Sequence, residues 1–72
     1  MASIEETQLV PVNGKDGQTY GGRIFAADGA VIEMGDIHPD PARAQRFLER
    51  IRGEEAEETQ LWYYLEDFLA EE

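Results

Sequence analysis

Seventy-two residues with sixteen acids against six Lys and Arg give a formal net charge of -10, which argues against direct nucleic-acid binding, a mode that relies on cationic contacts to phosphate. There is no cysteine, so a disulfide framework and a thiolate metal site are both excluded. An apolar share of 42% is too high for a disordered chain, and the length points to one domain spanning 1–72, near the lower limit of independent folding.

The start, MASIEETQL, has no basic region followed by an apolar run, so no secretory signal is expected. No apolar stretch approaches membrane-span length. A soluble cytoplasmic protein is the expectation, with no membrane partner.

From Ile4 to Met34 the apolar residues alternate with polar ones, which predicts strands over about 3–12, 18–27 and 30–36. NGKDG at 13–17 reads as the first loop and ADG at 27–29 as a hairpin turn. A two-residue turn would set Ile24 against Glu33 and Arg23 against Met34. A three-residue loop with Gly29 left-handed sets Ile24 against Ile32 and Arg23 against Glu33. The second register pairs apolar with apolar and charge with countercharge, and is preferred. It predicts one shared face for Tyr20, Ile24, Ala26, Ala30, Ile32 and Met34, with Val10 and Val12 as neighbours. Gly21-Gly22, inside a strand pattern, reads as a bulge or a close approach of helix to sheet rather than as a phosphate loop.

Asp40-Pro41 is a helix start: the carboxylate caps free amides and proline has no amide to satisfy. A first helix over about 41–52 follows, with Ala44, Phe47, Leu48 and Ile51 on one arc, Arg43, Arg46 and Arg50 beside it, and Gly53 as the stop. GEEAEETQ reads as an acidic linker with Thr59 as a candidate cap. A second helix is predicted over about 60–70. The fold class is therefore α+β: an antiparallel three-stranded meander, then two helices packed on one face of the sheet.

GDIHPDPAR, residues 35–43, places Asp36, His38 and Asp40 at every second position, the only arrangement that resembles a metal site. Such sites need three or four ligands and support behind the histidine. Asp40 is accounted for as a cap and Asp36 as a turn former closing the third strand, so structural roles are expected, without metal or cofactor. Ser3, the only serine, is far in sequence from His38, which leaves a nucleophilic triad unsupported. The chain reads as a non-enzyme.

Tyr20-Gly21, Asp36-Ile37 and the run Leu65-Glu66-Asp67-Phe68-Leu69 give the chain a resemblance to a family of short, uncharacterised acidic proteins from clostridia and related bacteria. The resemblance implies a compact sheet-plus-helices domain and no activity. That pattern has serine or threonine where His38 stands, a departure that weighs against a family-wide metal role.

Surface features remain. The first helix carries four arginines and one glutamate, whereas 54–72 carries eight acids and no base. One reading is an antiparallel helix pair with facing charge stripes. The other turns the acids outward, with Glu54, Glu55, Glu57 and Glu58 available to a basic partner. The last helix has an apolar arc of roughly 160°, wider than a small sheet needs, with Trp62 and Tyr63 as the residues left over. Two functions follow: a protein-interaction module that self-associates as a homodimer through this helix, or an acidic mimic of nucleic acid that occupies a partner's basic groove.

Overall fold

The computed structural model describes residues 3–14 and 17–71. Of NGKDG, Lys15 and Asp16 lie outside these, while Asn13-Gly14 and Gly17 belong to the strands on either side. The chain runs β1 (Ile4–Gly14), β2 (Gly17–Ala26), β3 (Val31–His38), α1 (Pro41–Ile51) and α2 (Glu58–Glu71). The strands form an antiparallel sheet in the order β1-β2-β3, and both helices pack against it. No helix among the described residues is long and apolar enough to cross a membrane.

The β2-β3 hairpin adopts the preferred register. Ile24 faces Ile32 and Arg23 faces Glu33, with Arg23 Nε 3.5 Å from Glu33 Oε1. The turn explains why. Gly29 N–H donates to the Ala26 carbonyl and Ala26 N–H to the Ala30 carbonyl. This geometry requires a left-handed residue at the third loop position, and Gly29 has φ 90°, a conformation costly for any residue with a Cβ. Asp28 completes the turn by accepting from Ala30 N–H.

Register in β1 departs from expectation. Leu9 pairs with Gly22, Val10 with Gly21 and Val12 with Thr19. Cross-strand partners share a face, so Leu9 lies on the core face while Val10 and Val12 lie on the opposite one, with Arg23 and Glu33. Ala30, expected on the core face, is exposed in the turn.

The strand β3 also runs two residues beyond the expected end. Pairing jumps from Gly22–Met34 to Tyr20–His38, so extra residues of β3 bulge opposite Gly21. Asp36 is therefore inside a strand instead of closing one. The two glycines carry distinct duties here. A Cβ on Gly21 would lie 2.2 Å from the Met34 carbonyl oxygen, and one on Gly22 would lie 2.6 Å from Leu48 Cδ2 of α1. Bulge and close helix approach are both present, one at each glycine.

The helix α1 begins as its sequence dictates: Asp40 is the N-cap, Pro41 the first helical residue, and Gly53, φ 86°, follows the C-cap. Its apolar stripe of Ala44, Phe47, Leu48 and Ile51 is buried against Ile24, Met34 and Ile37. The start of α2 differs from expectation. Leu61 N–H bonds the Glu57 carbonyl, and Gln60 Oε1 accepts from Glu57 N–H. Glu57 is thus the cap and Gln60 supplies half of a capping box, with Thr59 already inside the helix.

Between the helices the chain is not a free linker. Ile4 N–H donates to the Glu54 carbonyl, Gly53 N–H donates to the Ile4 carbonyl, and Ser3 bridges Glu55. Residues 53–55 form a strap along the start of the edge strand β1. Ala56 beneath it is buried. Exposed edges invite unwanted pairing, and the strap closes this one over its first residues.

Candidate functional site

The three residues around His38 are brought near one another but not toward a common point. Asp36 Oδ1 accepts from Thr19 Oγ1 at 2.8 Å. His38 Nδ1 accepts from Asp40 N–H at 2.9 Å, and Asp40 Oδ1 accepts from Ala42 N–H at 2.9 Å. Asp40 Oδ2 also lies 3.7 Å from Arg43 Nε. Each side chain is spent on strand, turn or cap. Among the described residues no group of three His, Cys, Asp or Glu is arranged to hold a metal ion.

The last helix presents more unpartnered apolar surface than its sequence suggests. Leu61, Leu65 and Phe68 form its buried stripe, whereas Trp62, Tyr63, Tyr64 and Leu69 are exposed by 38, 63, 38 and 40%. Tyr64 and Leu69 lie at helical spacing beside Leu61, Leu65 and Phe68 and yet are exposed, so the covered sector is narrower than the apolar one. At about 100° per residue, Trp62 and Leu69 flank the buried stripe on one side, Tyr64 on the other, and Tyr63 points outward. No family model, no curated protein and no solved structure matches the chain.

The charge layout also differs from facing stripes on antiparallel helices. Phe47 packs on Phe68, ring centroids 5.5 Å apart and tilted by 59°, and Arg50 pairs with Glu71. Both contacts join the later half of α1 to the last turns of α2, whereas an antiparallel pair would bring Arg50 to the beginning of α2. The Arg50 hydrogen bond, then its charge, hold the Glu71 carboxyl below the usual carboxylate range, and Glu71 in turn raises Arg50.

Beside this ion pair lies a groove of about 240 Å³ between the helices. Phe47, Ile51, Tyr64 and Phe68 make its apolar lining, and Arg50, Glu54, Asp67 and Glu71 its charged one. Sequence reasoning missed this feature. The available signal was the stripe of Tyr64, Asp67 and Glu71 at helical spacing, next to the buried one.

The acidic residues Glu54, Glu55, Glu57 and Glu58 are all exposed on and after the strap. No ion pair joins their side chains to a cation among the described residues. The strap's backbone bonds set the segment they occupy.

Proposed function

We propose that this chain is a small acidic protein-interaction module, non-enzymatic, that self-associates through α2. The observation that carries the reading is the exposure of Trp62, Tyr63 and Leu69 on a helix already anchored by Leu61, Leu65 and Phe68. Large aromatic side chains are enriched in interface centres, and a symmetric dimer would bury this surface on both copies. The net charge of -10 opposes association and is screened by salt over about 8 Å at physiological strength.

The non-enzymatic part rests on the duties of Asp36, His38 and Asp40, which are structural. The partner is a protein, possession of a nucleic-acid or membrane surface being disfavoured by the acid excess. A bacterial cytoplasm is the setting that the resemblance to short clostridial acidic proteins favours.

Sedimentation equilibrium at several concentrations and two salt levels tests self-association. The expected result is a dimer fraction that rises with concentration and salt, and falls in Trp62→Ala. A monomer under every condition would refute it.

A second reading, an acidic mimic of nucleic acid, draws on the exposure of Glu54, Glu55, Glu57 and Glu58. Binding of a basic partner that falls steeply with salt would favour the mimic, while weak salt dependence would favour the apolar helix face.

A further inference from the structure

The hydrogen-bond ladder leaves one side of β1 open. On β2, Ala26 N–H turns to β3, so Phe25, Arg23 and Gly21 turn their backbone groups to β1. Their partners Glu6, Gln8 and Val10 are therefore the bonded residues of β1. Thr7, Leu9, Pro11 and Asn13 direct their backbone groups outward. The strand lies at the edge of the sheet, and among the described residues nothing bonds this outward row.

Such an edge is a template for another strand, and its two guards are partial. The strap stops at Ile4, and Pro11 lacks an N–H but keeps its carbonyl. Together they select a register. A second β1 fits antiparallel with Val10 on the two-fold axis. Thr7 and Asn13 of the two copies then exchange both of their hydrogen bonds, and Leu9 N–H donates to the Pro11 carbonyl. Only the Leu9 carbonyl, opposite the proline, is left without a donor. An axis at Leu9 leaves Asn13 unpaired, and one at Pro11 sets proline against proline. An axis at Gln8 drives the second strand into the strap.

The side chains agree with this register. Val10 meets Val10 as a close, non-hydrogen-bonded pair, Leu9 lies opposite Pro11, and Gln8 opposite Val12. Glu6 lies opposite Gly14, so no acid is set against an acid, although the chain carries sixteen. We infer that β1 of one copy pairs with β1 of a second copy about this axis, joining two three-stranded sheets into one. The contact is isologous and uses no residue of α2, so it stands or falls independently of association through Trp62.

Two measurements test it. Amide hydrogen exchange of the ¹⁵N-labelled full chain is followed at several concentrations in high salt. The Thr7, Leu9 and Asn13 amides should slow in proportion to the unpaired fraction, about twofold when half of the copies are paired. Gln8 and Val10, already bonded to β2, should change less. Separately, Val10→Cys, in a chain without native cysteine, should form an intermolecular disulfide with copper phenanthroline as oxidant. Facing residues of such a pair lie about 4.5 Å apart at Cα, within disulfide reach. Gln8→Cys and Val12→Cys should not cross-link, since each would stand roughly 13 Å from its counterpart. Thr7→Pro removes an outward N–H and no bond to β2, and should cause loss of the Val10→Cys cross-link, whereas Trp62→Ala should leave it in place. Exchange at Thr7, Leu9 and Asn13 that does not depend on concentration would overturn the assignment. So would a Val10→Cys cross-link no stronger than that of Gln8→Cys or Val12→Cys, or one that disappears in Trp62→Ala. Self-association that persists with these three amides unchanged would confine it to α2, which distinguishes failure of the edge from failure of the helix face.

Discussion

Arg50, in the last turn of α1, donates to both carboxylate oxygens of Glu71 in the last turn of α2, at 2.6 and 3.3 Å. Folding lowers the Glu71 carboxyl's pKa, so its stabilisation is present above the unfolded carboxylate range and is lost as pH falls through the folded value. Arg50, raised, would lose its share only at strongly alkaline pH. Glu71→Gln is therefore expected to lower the urea midpoint at neutral pH, by an amount that shrinks in high salt and as the solution is acidified. A difference that is unchanged on acidification would remove the ion pair as its cause.

The cap of α1 gives a second test. Asp40 Oδ1 accepts from Ala42 N–H, and replacing such a cap by alanine costs about 0.5–2 kcal/mol. Asp40→Ala should fall in this range by urea denaturation, and Asp40→Asn should retain most of the stability because Asn also caps well.

Metal binding at His38 can be checked directly. Its Nδ1 already accepts from the Asp40 amide, so calorimetry with zinc or nickel at micromolar metal should give no stoichiometric uptake. His38→Ala should cost about 0.5–1.5 kcal/mol by removing that acceptor. Stoichiometric uptake that disappears in His38→Ala would make the segment a metal site after all.

Two neighbouring glycines should behave oppositely. A Cβ at Gly21 would meet backbone at 2.2 Å, while one at Gly35 meets nothing within 4 Å. Gly21→Ala is expected to cost about 1–3 kcal/mol or more through displacement of β3. Gly35→Ala should stay within about 0.5 kcal/mol of the parent. Equal effects would place the bulge elsewhere.

Trp62 is the only tryptophan and reports on its own surroundings. At low concentration its emission should be that of a partly hydrated indole, and it should shift to the blue as concentration and salt rise. Part of the indole is covered within the monomer, with 38% of Trp62 exposed, so Trp62→Ala should cost some monomer stability and should also reduce assembly. A large loss of stability with no effect on assembly would make Trp62 part of the core edge.

Local chemistry was legible in the residues themselves. Gly29 in a three-residue turn set the β2-β3 register, Asp40-Pro41 opened α1 and Gly53 closed it. In each case the deciding force acts within a few residues: a φ that only glycine adopts cheaply, or an amide that needs an acceptor. The alternation of β1 to β3 and the helical spacing after Asp40 were likewise enough for the fold class.

What the tertiary structure alone decided are distances between segments far apart in sequence. The bulge opposite Gly21, where the backbones of Gly21 and Met34-Gly35 approach closely, lets pairing resume at Tyr20–His38. Long-range pairing put Leu9, not Val10 and Val12, on the core face, since one residue of slip reverses a strand. The strap at residues 53–55 depends on the position of Ile4. Helical spacing revealed that α2 has a wide apolar arc, but how much of it is covered depends on where Phe47 and Arg50 meet it. That meeting left Tyr64 and Leu69 exposed beside Trp62 and Tyr63. A periodicity specifies a face; only the neighbours packed against it determine how much of that face is buried.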